Sequence, residues 1–365
     1  MGRQRSFPEP KIVLLTPYYR PVVGGVTTFV SGLASELLRR GADVTVLTRY
    51  GADGPGVLRG PSEVFAFVRW CRRTIREIRP DVVHGHGHWY CLAGALSRFG
   101  RPLATRLVFT VHTLPNMPLA LRFPFRWLLR RAHVVTFVSD HSRKEFVQRF
   151  GPPGESAVVL PGVRDFVVDP REGPRTGPEG FRICAVSLMS WQGKVDGLRL
   201  LLEATARLAL VLPNVSLTIV GDGEFRPALE SLAGRLALAE RVRFAGLVDD
   251  PTPILSSSDV FCHISFQDAF AQSVLEAMSL SLPVVVNEGT FDDPMFRGPE
   301  CGIVHSPPDA ESLCRVLQTL ASEPEERGRL GARAREFVRR ELSWRNQAER
   351  FWTLYGFASD FVSSP

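Results

Sequence analysis

The feature that most limits how this chain can fold is an alternation of short apolar runs with helix-spaced segments, and the alternation occurs twice. The first series opens with a strand over Lys11–Leu15 and a glycine turn at Gly24-Gly25. A helix over Thr27–Arg40, closed by Gly41, and a strand over Asp43–Thr48 follow, with later strands at Val82–Val83, Leu107–Val111 and Val134–Val138. A Pro/Gly-rich stretch from Gly162 to Gly180 breaks the rhythm and reads as a linker. The second series has strands at Ile183–Val186, Ser216–Val220, Arg243–Ala245, Val260–Ile264 and Pro283–Val286. Its helices are expected over Asp196–Leu210, Ser273–Ser279 and one long stretch from Ala310 to Arg340. Strand–helix alternation of this kind argues an α/β protein built on parallel sheets.

Length agrees with two such units, because 365 residues at roughly 100–200 per domain make about two domains. The expected division is 1–165 and 166–345, with a C-terminal helix at 346–365. Apolar residues at 44% and charged residues at 22% exclude a disordered chain. No apolar run approaches the ~18–20 residues of a membrane-spanning helix. The N-terminal residues carry no apolar signal core, so a cytoplasmic location is expected. Six cysteines, none in C-x-x-C spacing, point to neither zinc nor a disulfide framework.

The charge is unevenly placed. Residues 1–165 carry 24 Lys and Arg against 11 Asp and Glu, a balance of +13, and the remainder carries 20 against 27, a balance of −7. A basic first half suits an anionic surface or a phosphate-bearing substrate. Only three lysines occur, Lys11, Lys144 and Lys194.

Several constellations carry chemistry. Gly24-Gly25 sits between a strand and a helix N-terminus, where free N–H groups meet an anion or a sugar hydroxyl. The dinucleotide fingerprint G-x-G-x-x-G is absent, which argues against a nicotinamide oxidoreductase. His84, His86 and His88 alternate at a strand end, so period two places them on one face, as a polar rim where open α/β sheets bind ligands. Three imidazoles on one short strand rarely close a metal's coordination sphere. His112 ends the strand Leu107–Val111. Gly193-Lys194 lies in a loop after a strand, without the spacing of a P-loop, and offers a point charge to a diphosphate. The segment Phe266–Met278 places Asp268 before a helix and Glu276 on it, with helix-end amides between them.

These residues together resemble the retaining GT-B glycosyltransferases of family 4, over nearly the whole chain. The matching elements are Gly24-Gly25, His84-Gly85-His86, Thr110-Val111-His112, Gly193-Lys194, Gly221-Asp222-Gly223 and the acidic pair Asp268-x7-Glu276. Ser343-Trp344 and Tyr355 resemble the family's final helix, which crosses back to the first domain. The resemblance implies two Rossmann-like domains facing across a cleft, the second holding a UDP- or GDP-linked sugar. It implies His112 and Asp268 as the catalytic pair. It assigns donor binding to Gly24, Gly25, Lys194, Gly221, Asp222, Phe270, Ala271, Gln272, Ser273 and Glu276. It further implies transfer with retention to a glycan or glycolipid acceptor. No D-x-D occurs, so no metal cofactor is expected, and no nucleic-acid partner is expected either.

Departures from the family pattern are Asp268 in place of Glu, Ala271 in place of Gly, Ser187 in place of an arginine, and Arg164 in the Pro161–Arg164 segment. They leave open a second reading, a nucleotide-sugar-binding protein of the same fold with impaired catalysis. A last expectation concerns Arg122, Arg126 and Arg130. Their spacing of four on a helix whose first turn holds Pro124 predicts a basic face for an anionic membrane, peripheral on its inner side.

Overall fold

The computed structural model describes residues 9–22, 24–95, 105–113, 119–163, 180–266, 271–288 and 294–357. The chain divides into two compact units, Met1–Gly162 with Trp344–Pro365, and Val163–Ser343. Among the described residues no helix is long and apolar enough to cross a membrane.

The first unit runs β1 (Lys11–Tyr18), α1 (Gly25–Arg39), β2 (Asp43–Tyr50), β3 (Val57–Arg59), α2 (Val64–Ile78) and β4 (Val82–His86). It continues with α3 (Trp89–Ala95), β5 (Arg106–Val111), α4 (Leu119–Leu129), β6 (Val134–Phe137), α5 (Asp140–Phe150) and β7 (Ser156–Val158). Its seven strands lie in the order β3-β2-β1-β4-β5-β6-β7, all parallel. β1 shows why the sheet is covered on both faces. Ile12 and Leu14 point to one side with Phe29, Leu33 and Leu37 of α1, while Val13 and Leu15 point to the other with Phe67, Phe109 and Phe137.

The second unit runs β8 (Phe181–Val186), α6 (Gln192–Ala209), β9 (Val215–Val220), α7 (Arg226–Arg235), β10 (Val242–Gly246), α8 (Thr252–Ser256) and β11 (Val260–His263). Then come α9 (Gln272–Ser279), β12 (Val284–Asn287), β13 (Ile303–Ser306), α10 (Ala310–Ser322) and α11 (Pro324–Glu341). The sheet order is β10-β9-β8-β11-β12-β13, again parallel. Both sheets therefore reverse direction beside their first strand, between β1 and β4 and between β8 and β11. In doubly wound sheets ligands bind at the carboxyl ends of the strands at this switch point.

Two helices depart from the sequence reading. The helical stretch expected over Ala310–Arg340 is divided into two helices, because Pro324 has no N–H for a helix interior and instead opens α11 at its first position. Asp309 starts α10 by accepting from the Ser312 amide at 2.7 Å. The expected helix from Asp196 begins earlier, at Gln192, which moves Lys194 from a loop into the first turn of α6.

The C-terminal helix α12 (Trp344–Leu354) packs on α1 in the first unit. Gly32 makes the crossing possible, since a Cβ there would lie 2.1 Å from the Trp344 ring. Phe351 and Trp344 flank Phe29, with ring centroids 5.9 and 5.3 Å away. Arg40 pairs with Glu349, and the Arg106 guanidinium donates to the Leu354 carbonyl.

Candidate active site

In the first unit the switch point is lined from both sides. Gly24 caps α1 with extended backbone, and α1 has no side-chain cap and no acidic residue in its first turn. A Cβ at Gly24 or Gly25 would meet nothing within 4 Å, so internal packing does not demand these glycines. The helix end is left open to a ligand.

Opposite, at the ends of β4 and β5, lies a connected imidazole group. His84 and His86 are fully buried, not the polar rim that alternation suggested, because their sheet face is covered by α1 and α12. The ring of His84 bridges the Tyr355 hydroxyl, 2.8 Å from Nδ1, and the Thr110 hydroxyl, 2.7 Å from Nε2. Thr110 in turn meets the Thr136 hydroxyl at 2.6 Å. His86 Nδ1 lies 3.2 Å from His112 Nε2, and Phe29 stands edge-on to His112 at 4.8 Å. Burial holds His84 and His86 well below the ordinary imidazole pKa, helped by the neighbouring imidazoles, and burial lowers His112 to about 3. The group is neutral at pH 7.

His88 does not share that face. Gly87, at φ 76°, ends the strand, and His88 instead stacks on Tyr90 at 5.2 Å, beside the core of the other side. Arg49 lies 5.3 Å from the same Tyr90 ring. Among the described residues no group of three His, Cys, Asp or Glu is arranged to hold a metal ion.

In the second unit three strand ends meet. After β8, the loop carrying Ser187 and Met189 is pinned to the turn after β9: the Ser187 amide donates to Val220 and the Met189 amide to Asp222, both at 2.9 Å. Gly221 has φ 126° and a Cβ there would lie 2.0 Å from the Ser187 carbonyl, so only glycine fits. Asp222 accepts from the Gly223 amide at 2.8 Å and pairs with Arg226 at 3.1 Å, which lowers its pKa. On the other side of β8, the Phe266 amide after β11 donates to the Gly193 carbonyl at 3.1 Å, holding that loop beside Lys194. The Asn287 side chain at the end of β12 accepts from the Ser265 amide at 2.8 Å and so fixes the root of the same loop.

α9 starts at Gln272 with Ala271 as its buried N-cap, no side-chain cap and no acid in the first turn. Gln272 and Ser273 occupy its first two positions, and Glu276 lies on the second turn. Asp268 and Phe270 lie outside the described residues. Sequence reasoning missed the pairing of His86 with His112 and the role of Asn287. The H-x-H spacing was the available signal for the first, while nothing in the sequence marks Asn287.

The arginine expectation needs correction. α4 starts at Leu119, so Pro124 is interior and not in the first turn. Arg122 and Arg126 are half-buried against the end of α5, Arg122 with its guanidinium 5.6 Å from the Phe150 ring and Arg126 beside Gly151. Arg130 falls beyond the helix and is exposed. The three do not form one solvent-facing stripe, because the two inner arginines pack on a neighbouring helix.

Two parallel Rossmann-type sheets, one in each unit, are the architecture of the GT-B fold. The family model for Glycosyltransferase Family 4 matches residues 23–165, and that for Glycosyl transferases group 1 matches residues 180–323. Spanning most of the sequence between them, they show that the chain belongs to this family of glycosyltransferases. It is 24% identical to the GDP-mannose-dependent alpha-(1-6)-phosphatidylinositol monomannoside mannosyltransferase of Mycolicibacterium smegmatis, over 94% of this chain and 97% of that protein. It is 23% identical to a phosphatidylinositol N-acetylglucosaminyltransferase component of Arabidopsis thaliana, over 95% and 82%. The structure of Anabaena HepE in complex with UDP superposes with a TM-score of 0.77 at 19% identity, covering 95% of this chain and 99% of that one.

Proposed function

We propose that this glycosyltransferase moves a sugar, with retention of anomeric configuration, from a UDP- or GDP-linked donor to a glycan or lipid-linked acceptor without a metal ion. The observation that carries the reading is that Lys194 in the first turn of α6, the Gly221–Gly223 turn and the start of α9, which has no side-chain cap, follow β8, β9 and β11, three neighbouring strands of one parallel sheet. Lys194 stands in the first turn of a helix, where a cation opposes the helix dipole and an anion is favoured. A diphosphate satisfies both. The amides of Ala271, Gln272 and Ser273 support it, Glu276 accepts from ribose hydroxyls, and Asp268 holds the sugar. Gly221 and Asp222 shape the nucleotide side. Gly24, Gly25 and His112 serve the transferred sugar.

The acceptor hydroxyl attacks C1 on the face from which the diphosphate departs. The bond from C1 to the phosphate oxygen breaks as the new C1–O bond forms, and the acceptor proton passes to the leaving phosphate. Such a step needs charge stabilisation of the leaving group more than a protein nucleophile. Relatives whose names carry phosphatidylinositol-based acceptors support the lipid-linked alternative.

A thermal-shift panel of UDP, GDP and their sugars, followed by NMR of the product anomer, tests the reading. One nucleotide should stabilise the protein selectively, and its sugar should be transferred with the donor's anomeric configuration kept. Binding without transfer to any glycan or glycolipid acceptor, or an inverted product, would overturn it.

A further inference from the structure

The pairing of His86 with His112 determines which nitrogen of His112 carries a proton, and this decides what His112 can do. His86 Nδ1 and His112 Nε2 are 3.2 Å apart. Both rings are neutral, each with one N–H, and the rings packed around them are Phe29 and His84, with no carboxylate bonded to either. One proton therefore lies between the two nitrogens, and two arrangements exist. In the first, His86 Nδ1–H donates to His112 Nε2, and His112 carries its own proton on Nδ1. In the second, His112 Nε2–H donates to His86, whose proton then sits on Nε2.

Nε2 of His86 separates the two. It is buried and has no partner among the described residues. The second arrangement leaves an N–H orphaned there, whereas the first leaves only a bare lone pair. Buried orphan N–H groups are the rarer and costlier of the two. On the far side of His112, Nδ1 has no protein partner among the described residues, so it is the nitrogen left for a ligand.

The geometry points to His86 as a positioning residue that holds His112 in the tautomer protonated at Nδ1, so that His112 offers an N–H donor to an oxygen of the transferred sugar. The role toward the sugar rests on the assignment of His112 under the proposed function, while the tautomer does not. A donor at Nδ1 with Nε2 already accepting from His86 cannot take the acceptor's proton. His112 is then a recognition and charge-stabilising group and not a general base. A histidine side chain free in water favours the proton on Nε2, so the Nδ1 tautomer is a diagnostic mark of this contact.

The test uses the full chain labelled with 15N-histidine. Long-range 1H–15N spectra at pH 7, with His112 assigned from a His112→Gln variant, should show Nδ1 protonated. In His86→Leu the Nε2 lone pair loses its donor, so its 15N resonance should move toward that of an unbonded ring nitrogen, and turnover per bound donor should fall by about tenfold, the size of one lost hydrogen bond, with nucleotide binding kept. His86→Asn, whose side-chain amide reaches the place of Nδ1–H, should restore the Nε2 resonance and most of the turnover. An Nε2–H tautomer in the wild-type protein would overturn the proposal without any variant having to fold, as would an Nε2 resonance unchanged in His86→Leu. An Nε2 resonance that shifts as expected while turnover stays at the wild-type level would uphold the contact and overturn the assignment of His112 to the sugar.

Discussion

At the scale of single residues, Lys194 and Glu276 carry the sharpest tests because the structure fixes where each stands on its helix. Lys194 stands in the first turn of α6, where its charge opposes the helix dipole. Lys194→Ala should therefore leave the melting temperature nearly unchanged and weaken nucleotide-sugar affinity at least tenfold, about 1.4 kcal/mol. Titration calorimetry beside a melting curve checks this, and wild-type affinity would remove Lys194 from the site. Glu276, on the second turn of α9, is too far along the helix to act mainly as a dipole partner, since that effect fades within the first turn. Glu276→Gln should raise the donor KM with little change in melting. A large melting loss at unchanged KM would assign the carboxylate to stability. His112 and the Gly24-Gly25 pair were visible in the sequence as residue types at strand and helix ends. The burial of His84 and His86 was not, because it depends on the C-terminal helix and on Tyr355 just beyond it, which bonds His84 at a separation of 271 residues.

At the scale of elements, the crossing of α1 and α12 governs the first unit's core. A Cβ at Gly32 would collide with the Trp344 ring, so Gly32→Ala should cost about 1–3 kcal/mol, as overpacking does. The cost should shrink in a Trp344→Ala background, and a double-mutant cycle by denaturant unfolding measures the coupling. Additive single effects would show that the ring yields freely. The end of β4 makes a second prediction. His84, His86 and His112 are held below the ordinary value of 6.5, so the unfolded chain binds more protons as pH falls. Their contribution to stability is complete above pH 6.5 and is lost as pH drops toward the folded values, by about 1.4 kcal/mol per pH unit for each histidine in that window. Melting should therefore fall steeply between pH 6.5 and 5, and a flat profile there would contradict the buried neutral cluster. The same elements show where local reading fails. Pro324 splits a long helical pattern, a signal that was present in the sequence. The edge strands β3 and β7, three residues each, carry too little periodicity to be seen.

At the scale of the whole molecule, metal independence is the testable consequence of the proposal that Lys194 and helix amides hold the diphosphate. Turnover should survive EDTA, and complete loss on chelation restored by Mn²⁺ or Mg²⁺ would refute this. By itself the sequence determined the fold class, two parallel sheets, and the strand and helix ends on which the proposed donor site rests. These follow from local rules: apolar runs long enough for a strand, glycines where the backbone must turn, and amides exposed at helix starts. Only the tertiary structure decided what each side chain faces. It drew Arg122 and Arg126 onto α5, sent His88 to the opposite side from His84 and His86, and joined Phe266 to Gly193 across β8 and β11. The reason is physical. Strand order and helix docking bring together residues far apart in the chain, and no short-range pattern records which of them will exclude water from the others.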